Sequence, residues 1–94
     1  MIRSFKSKAL RRYWTTGDAR SLPADQIERI NLRLSALDTA TAPEQLDVPG
    51  WNFHALKGAM KGRYAIRVTG NWRITFAWDG KNADALDVDH EDYH

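Results

Sequence analysis

Residues 64–76 read Tyr64-Ala65-Ile66-Arg67-Val68-Thr69-Gly70-Asn71-Trp72-Arg73-Ile74-Thr75-Phe76, two alternating runs broken by Gly-Asn. Period-2 alternation on both sides of a turn signal predicts an antiparallel hairpin. A two-residue loop at Gly70-Asn71 pairs Val68 with Arg73 and mixes apolar and charged residues on both faces. A three-residue loop, Thr69-Gly70-Asn71, pairs Val68 with Trp72, Ile66 with Ile74 and Tyr64 with Phe76. One face is then wholly apolar. A one-residue slip moves every side chain to the other face, so burial selects the second register. Arg67 and Arg73 then stand opposite each other on the open face, where like charges repel. Two outcomes are open: an anion held between them, or two splayed arginines that each reach water.

Outward from the hairpin, Trp51, Phe53 and Ala55 alternate with Asn52, His54 and Leu56, which predicts a strand over 51–56. The second hairpin strand extends through Trp78, Asp79-Gly80-Lys81-Asn82 forms a turn, and Leu86 with Val88 marks a last strand. Lys57 to Gly62 reads as a loop. Upstream, the period changes. Ile27, Ile30, Leu34 and Leu37 make one apolar stripe, so 23–39 is a helix, with Pro23 in its first turn. Arg29 and Arg33 lie on another face. Phe5, Ala9, Leu10 and Tyr13 give a first helix with Ser4 as N-cap, stopped by Thr15 to Asp18. Ile2 and Phe5 flank a short opening segment that suits an edge strand. The four tryptophans and Phe53 read as core. Helices followed by an antiparallel meander make an α+β fold, and 94 residues without a linker make one domain over 1–94.

Charge is uneven. Residues 1–38 hold eight Lys or Arg against four acids, whereas Lys81 is the lone base among Asp84, Asp87, Asp89, Glu91 and Asp92 at the end. A basic body suits a polyanion, although interspersed surface charge is the plain alternative. There is no cysteine, hence no disulfide framework or thiolate site. No apolar leader or membrane span is visible, so a cytoplasmic protein without membrane contact is expected.

The three histidines, His54, His90 and His94, show no metal-ligand spacing, and no phosphate-cradling glycine loop occurs. What remains suits phosphodiester chemistry. If 51–56 alternates as drawn, His54 shares the outward face with Arg67 and Arg73, and Lys57 and Lys61 follow it. RNA is cut when its 2′-hydroxyl attacks the adjacent phosphorus, which calls for a base, an acid and cations. Histidine serves either proton transfer, and arginine's planar fork grips phosphate. Tyrosine stacks on unpaired bases. Singly, each has a plain reading: a hydrogen-bonded surface His54, a frayed terminal Tyr93-His94, a solvated His90.

Four segments together resemble the HigB family of toxins within the RelE/ParE superfamily. They are Ile2-Arg3-Ser4-Phe5 with the basic helix after it, Pro49-Gly50-Trp51-Asn52-Phe53-His54-Ala55-Leu56-Lys57-Gly58, Gly70-Asn71-Trp72-Arg73-Ile74-Thr75-Phe76, and Asp92-Tyr93-His94. Asp38-Thr39-Ala40 followed by Pro43-Glu44-Gln45-Leu46 is also similar. The resemblance implies a RelE-like fold, two N-terminal helices packed on one face of an antiparallel sheet. It implies a metal-independent, cofactor-free endoribonuclease that cuts mRNA in the 30S A site of the ribosome. It further implies a HigA-like helix-turn-helix antitoxin, through which the toxin meets operator DNA. The family's catalytic features fall on His54, Lys57, Arg73, Asp92, Tyr93 and His94, with His54 and His94 as acid and base in no fixed order. RNA contacts are expected from Lys61, Arg63, Arg67, Lys8, Arg11 and Arg12. A gyrase poison of the ParE branch and a non-catalytic binding module are the alternatives.

Overall fold

A computed structural model describes residues 1–92. Helix α1 spans Lys8–Thr16 and α2 spans Ile27–Thr39. The strands are β1 (His54–Ala55), β2 (Arg63–Thr69), β3 (Trp72–Asp79) and β4 (Asp84–Asp92). They form one antiparallel sheet in the order β1-β2-β3-β4. Leu10 from α1 and Ile30, Leu34 and Leu37 from α2 pack on Ile66, Ile74, Phe76 and Val88, all fully buried. Both helices therefore cover the same face, as expected of two elements that each carry one apolar side. The tryptophans and Phe53 pack half-buried against this core.

The first helix starts at Lys8 rather than after Ser4. Residues 1–6 are held extended against β4, with parallel bridges Ile2–Ala85 and Phe5–Val88. The Ser4 hydroxyl is engaged there, accepting from the Asp87 amide at 2.9 Å. Ser7 is the N-cap instead, and its side chain accepts from the Leu10 amide at 3.1 Å. Gly17 closes the helix at φ 81°, a left-handed conformation that glycine adopts without strain. The expected second helix begins with a 3₁₀ turn, Ala24–Gln26, before α2 proper.

The central hairpin keeps the expected register over most of its length: Arg67 faces Arg73, Ile66 faces Ile74 and Tyr64 faces Phe76. Its tip differs. Thr69, not Val68, pairs with Trp72, and Val68 is bulged out of the ladder yet buried in the core. A bulge lets a tight Gly70-Asn71 turn coexist with a continuous apolar face. A second irregularity lies between β3 and β4, where Asp87 takes φ 49°. The strand expected over 51–56 is reduced to two residues in the ladder. Asn52 adopts φ 48°, which breaks the alternation. The Trp51 carbonyl still accepts from the Arg67 amide at 2.6 Å.

Candidate functional site

The face of the sheet away from the helices carries two cross-strand rows. One runs His54–Ala65–Thr75–Asp89 and the other Arg67–Arg73–Glu91. Directly paired residues project to the same side, so His54 and Arg73 share this face although β2 lies between their strands. Their strands lie two strand spacings apart, about 10 Å. Between them the floor is Ala65, fully buried and too small to fill the space. The result is an open groove of about 240 Å³ lined by His54, Ala65, Arg67, Trp72 and Arg73 with Asn52, Gly70 and Asn71. A second groove of about 350 Å³ is lined by His54, Lys57, Met60 and Arg73 with Ala55 and Leu56. His54 and Arg73 are common to both.

Local contacts set each side chain. The His54 Nδ1–H donates to the Asn52 carbonyl at 2.7 Å. A carbonyl only accepts, so the proton of the neutral ring sits on Nδ1 and Nε2 is left as an acceptor. Arg67 is drawn toward the hairpin tip, its Nε donating to the Gly70 carbonyl at 3.3 Å. Arg73 is half-buried beside Glu91 in the row. The two arginines thus splay in part, and an acid on the far side of Arg73 offsets their repulsion. The Glu91 carboxylate accepts a hydrogen bond from the Thr75 hydroxyl, which is itself fully buried. Arg63 completes the array. Its Nη2 donates to Thr75 Oγ1 at 3.0 Å and to the Asp87 carbonyl at 2.8 Å, spanning β2, β3 and β4.

Of the expected residues, His54, Lys57, Arg67 and Arg73 come together around the grooves. Lys61 is exposed just beyond Met60. Arg63 is half-buried and turned toward the interior of the open face. Lys8, Arg11 and Arg12 are exposed on α1, in the layer behind the sheet. Asp92 pairs with Trp72, which brings the end of β4 beside Arg73. Tyr93 and His94 lie outside the described residues. Among the described residues, no three His, Cys, Asp or Glu side chains gather as a metal cluster would require, and no helix is long and apolar enough to cross a membrane.

Residues 3–94 match the model of the HigB-like toxins, described as the RelE-like toxin of the type II toxin-antitoxin system HigB. The chain belongs to this family. Over its full length it is 44% identical to the Endoribonuclease HigB of Proteus vulgaris, all of which is covered. It is 35% identical to Toxin HigB-1 of Vibrio cholerae over 80 residues, covering 83% of this chain and 84% of that one. A toxin of a type II system has an antitoxin as its partner. These relatives do not favour a gyrase poison or a non-catalytic module.

Three features of the toxin's site escaped the sequence. Glu91 and Thr75 carry no local sign of their contacts, because their neighbours depend on the β3–β4 register and on the bulge at Asp87. Arg33 reads as a surface residue on α2, yet it is buried. Its Nε donates to the Arg67 carbonyl at 2.7 Å, its Nη1 to the Arg29 carbonyl at 3.1 Å, and its guanidinium lies 4.7 Å from the Trp51 ring centre. Burial, followed by the charges of Arg29 and Arg67, lowers its pKa; an arginine stays cationic at neutral pH even so. It therefore holds the hairpin bulge from behind. His90, read as a solvated residue, is half-buried against Trp72 instead.

Proposed function

We propose that this toxin is a cytoplasmic, ribosome-dependent mRNA endoribonuclease that cuts in the 30S A site through the groove between His54 and Arg73. One observation carries the reading: His54 and Lys57, from one segment, and Arg73, from another, converge on the helix-free face around an open groove. The Proteus relative's name, an endoribonuclease, supports the same chemistry.

The groove suits attack of a 2′-oxygen on the neighbouring phosphorus. The P–O5′ bond breaks, a 2′,3′-cyclic phosphate forms, and the leaving 5′-oxygen takes a proton. His54 in its Nδ1–H tautomer offers Nε2 as a proton acceptor, and it serves as acid or base with His94 as the other partner. Arg73 and Lys57 stabilise the charge on the phosphate as it builds. Asp92 orients the end of the chain, and Tyr93 stacks on a base of the message. No step calls on a metal or an organic cofactor. Arg67 and Lys61 grip the message backbone, Arg63 contributes by fixing Thr75, and Lys8, Arg11 and Arg12 meet ribosomal RNA phosphates from the helix layer. A site this open positions RNA poorly by itself, and positioning is worth several kcal/mol; the ribosome supplies it. The antitoxin is a helix-turn-helix protein of the HigA kind, which connects the toxin to operator DNA.

The test is Arg73→Ala on translating ribosomes and on naked RNA, beside a thermal melt. Loss of a charge-assisted contact made in the transition state lowers the rate about a hundredfold. Arg73→Lys recovers part of it, since a point charge lacks the planar fork. The wild type cleaves on ribosomes and barely on naked RNA. Equal wild-type rates on both substrates refute the ribosome dependence; a folded Arg73→Ala protein with full activity refutes the site.

A further inference from the structure

Burial fades along the inward-facing positions of β4: Val88 is fully buried, His90 half-buried and Asp92 exposed. The extended N-terminal segment bridges β4 at Ala85 and Val88. Past Val88, residues 89–92 pair with β3 on one side, and among the described residues no strand pairs with their other edge. A one-sided terminal strand frays readily. Yet this stretch sets Glu91 opposite Arg73 and Asp92 opposite Trp72, and it leads directly into the last two residues of the chain. Something must seat it.

His90 is built for that. Its ring stacks on the indole of Trp72, with centroids 4.3 Å apart and planes 20° from parallel. Its Nε2–H donates to the Gln26 Oε1 at 2.9 Å. Gln26 is only 3% exposed and stands at the mouth of α2, 64 residues away in sequence. Its amide oxygen would otherwise be a buried acceptor without this donor, which is costly in a folded protein. The contact therefore joins the helix layer to the outermost inward-facing anchor of the strand that ends at the grooves.

We infer that His90, clamped between Trp72 and Gln26, is a positioning residue that seats the end of β4 against Arg73. The inference rests on the site reading above. His90 takes no part in proton transfer in this role. Its ring is turned to the helix layer, away from the groove that His54 and Arg73 line. What it supplies is a fixed place for Glu91, Asp92 and the residues after them.

The experiment compares wild type, His90→Ala and the double variant His90→Phe/Gln26→Leu, an apolar clamp that keeps the stack and removes the buried acceptor. Amide hydrogen exchange over residues 89–92 is read against core amides such as Leu34 and Phe76. Steady-state cleavage on programmed ribosomes is read in parallel, with Arg73→Ala as a control. His90→Ala is expected to speed exchange over 89–92 about tenfold or more, the size implied by losing a ring stack with a hydrogen bond, while core amides are unchanged. It is expected to lower kcat about tenfold with KM nearly constant, as misplacement of a reacting group does. The apolar clamp restores both. Unchanged exchange in His90→Ala overturns the clamp. Faster exchange with unchanged kcat, while Arg73→Ala is inactive, overturns its functional consequence. A kcat that the apolar clamp fails to restore, despite restored exchange, overturns the positioning role and makes the imidazole itself the active group. Full activity in Arg73→Ala instead brings down the site reading, and the functional half of this inference with it; the exchange data then decide the clamp alone.

Discussion

Replacing Arg33 by Met removes a cation that the fold has placed beneath its own functional face. The apolar stem of Met fills much of the same volume, so what is lost is polar. The Arg67 carbonyl loses a 2.7 Å charge-assisted donor, and the Trp51 ring loses the guanidinium 4.7 Å from its centre. A hydrogen bond to a charged group is worth about 1.5–3 kcal/mol, and a partly desolvated cation–π contact about 0.5–2. Removing Arg33 also relieves repulsion with Arg29 and Arg67 and ends the burial of a charge, which offsets part of the loss. A net cost of about 2–4 kcal/mol follows, less than the stability of an ordinary domain. For a chain of this size that lowers Tm by about 10–25 °C. Because Arg33 holds the carbonyl beside the Val68 bulge, the hairpin tip loosens as well, and cleavage on ribosomes falls at temperatures where the protein is still folded. Arg33→Lys retains the charge without the fork and lies between the two. Differential scanning calorimetry with a ribosome cleavage assay reads both effects. An Arg33→Met protein that melts within about 3 °C of wild type refutes the account.

Two further outcomes follow from the same face and its clamp. Thr75→Val keeps the shape but deprives the Glu91 carboxylate of its hydroxyl donor and Arg63 of an acceptor; at about 1–3 kcal/mol for buried groups so stranded, a melt should show Tm lower by about 5–15 °C, and no change would mean that the array contributes nothing. Burial lowers the His90 pKa from its ordinary 6.5, with Asp89 and Asp92 opposing it in part. The folded protein thus binds this proton less readily than the unfolded chain, and the stability due to the neutral ring is fully present above about pH 6.5 and lost as pH falls through the lowered value. Melts between pH 7 and pH 5 should fall more steeply for wild type than for His90→Phe; parallel curves contradict the assignment.

Much of the architecture was legible in the residues, because burial enforces periodicity. The stripe of Ile30, Leu34 and Leu37 could face only a core, and the alternation over 64–76 allowed one register that made a face wholly apolar. That register placed Arg67 opposite Arg73 without any knowledge of the rest of the chain, and the structure agrees. The resemblance added the family, while alternation over 51–56 by itself puts His54 on the open face with Arg67 and Arg73.

What the chain could not disclose locally were the places where periodicity is broken or where partners are distant. The bulge at Val68 and the left-handed residues Asn52 and Asp87 are local departures that cost little and leave no compositional trace. Each shifts what lies opposite what, and so Glu91 came to stand beside Arg73 unannounced. Arg33 and His90 look like solvated polar residues by type alone, although Arg33 shares the helical spacing of Ile30, Leu34 and Leu37 and His90 follows Val88 at strand period. Their partners, the Arg67 carbonyl 34 residues away and Gln26 64 residues away, exist only once the helices lie on the sheet. Sequence alone determined which side chains face inward or outward along most of each element, because that follows from a period. Tertiary structure decided which polar groups meet across elements, because a hydrogen bond depends on positions to within a few tenths of an ångström.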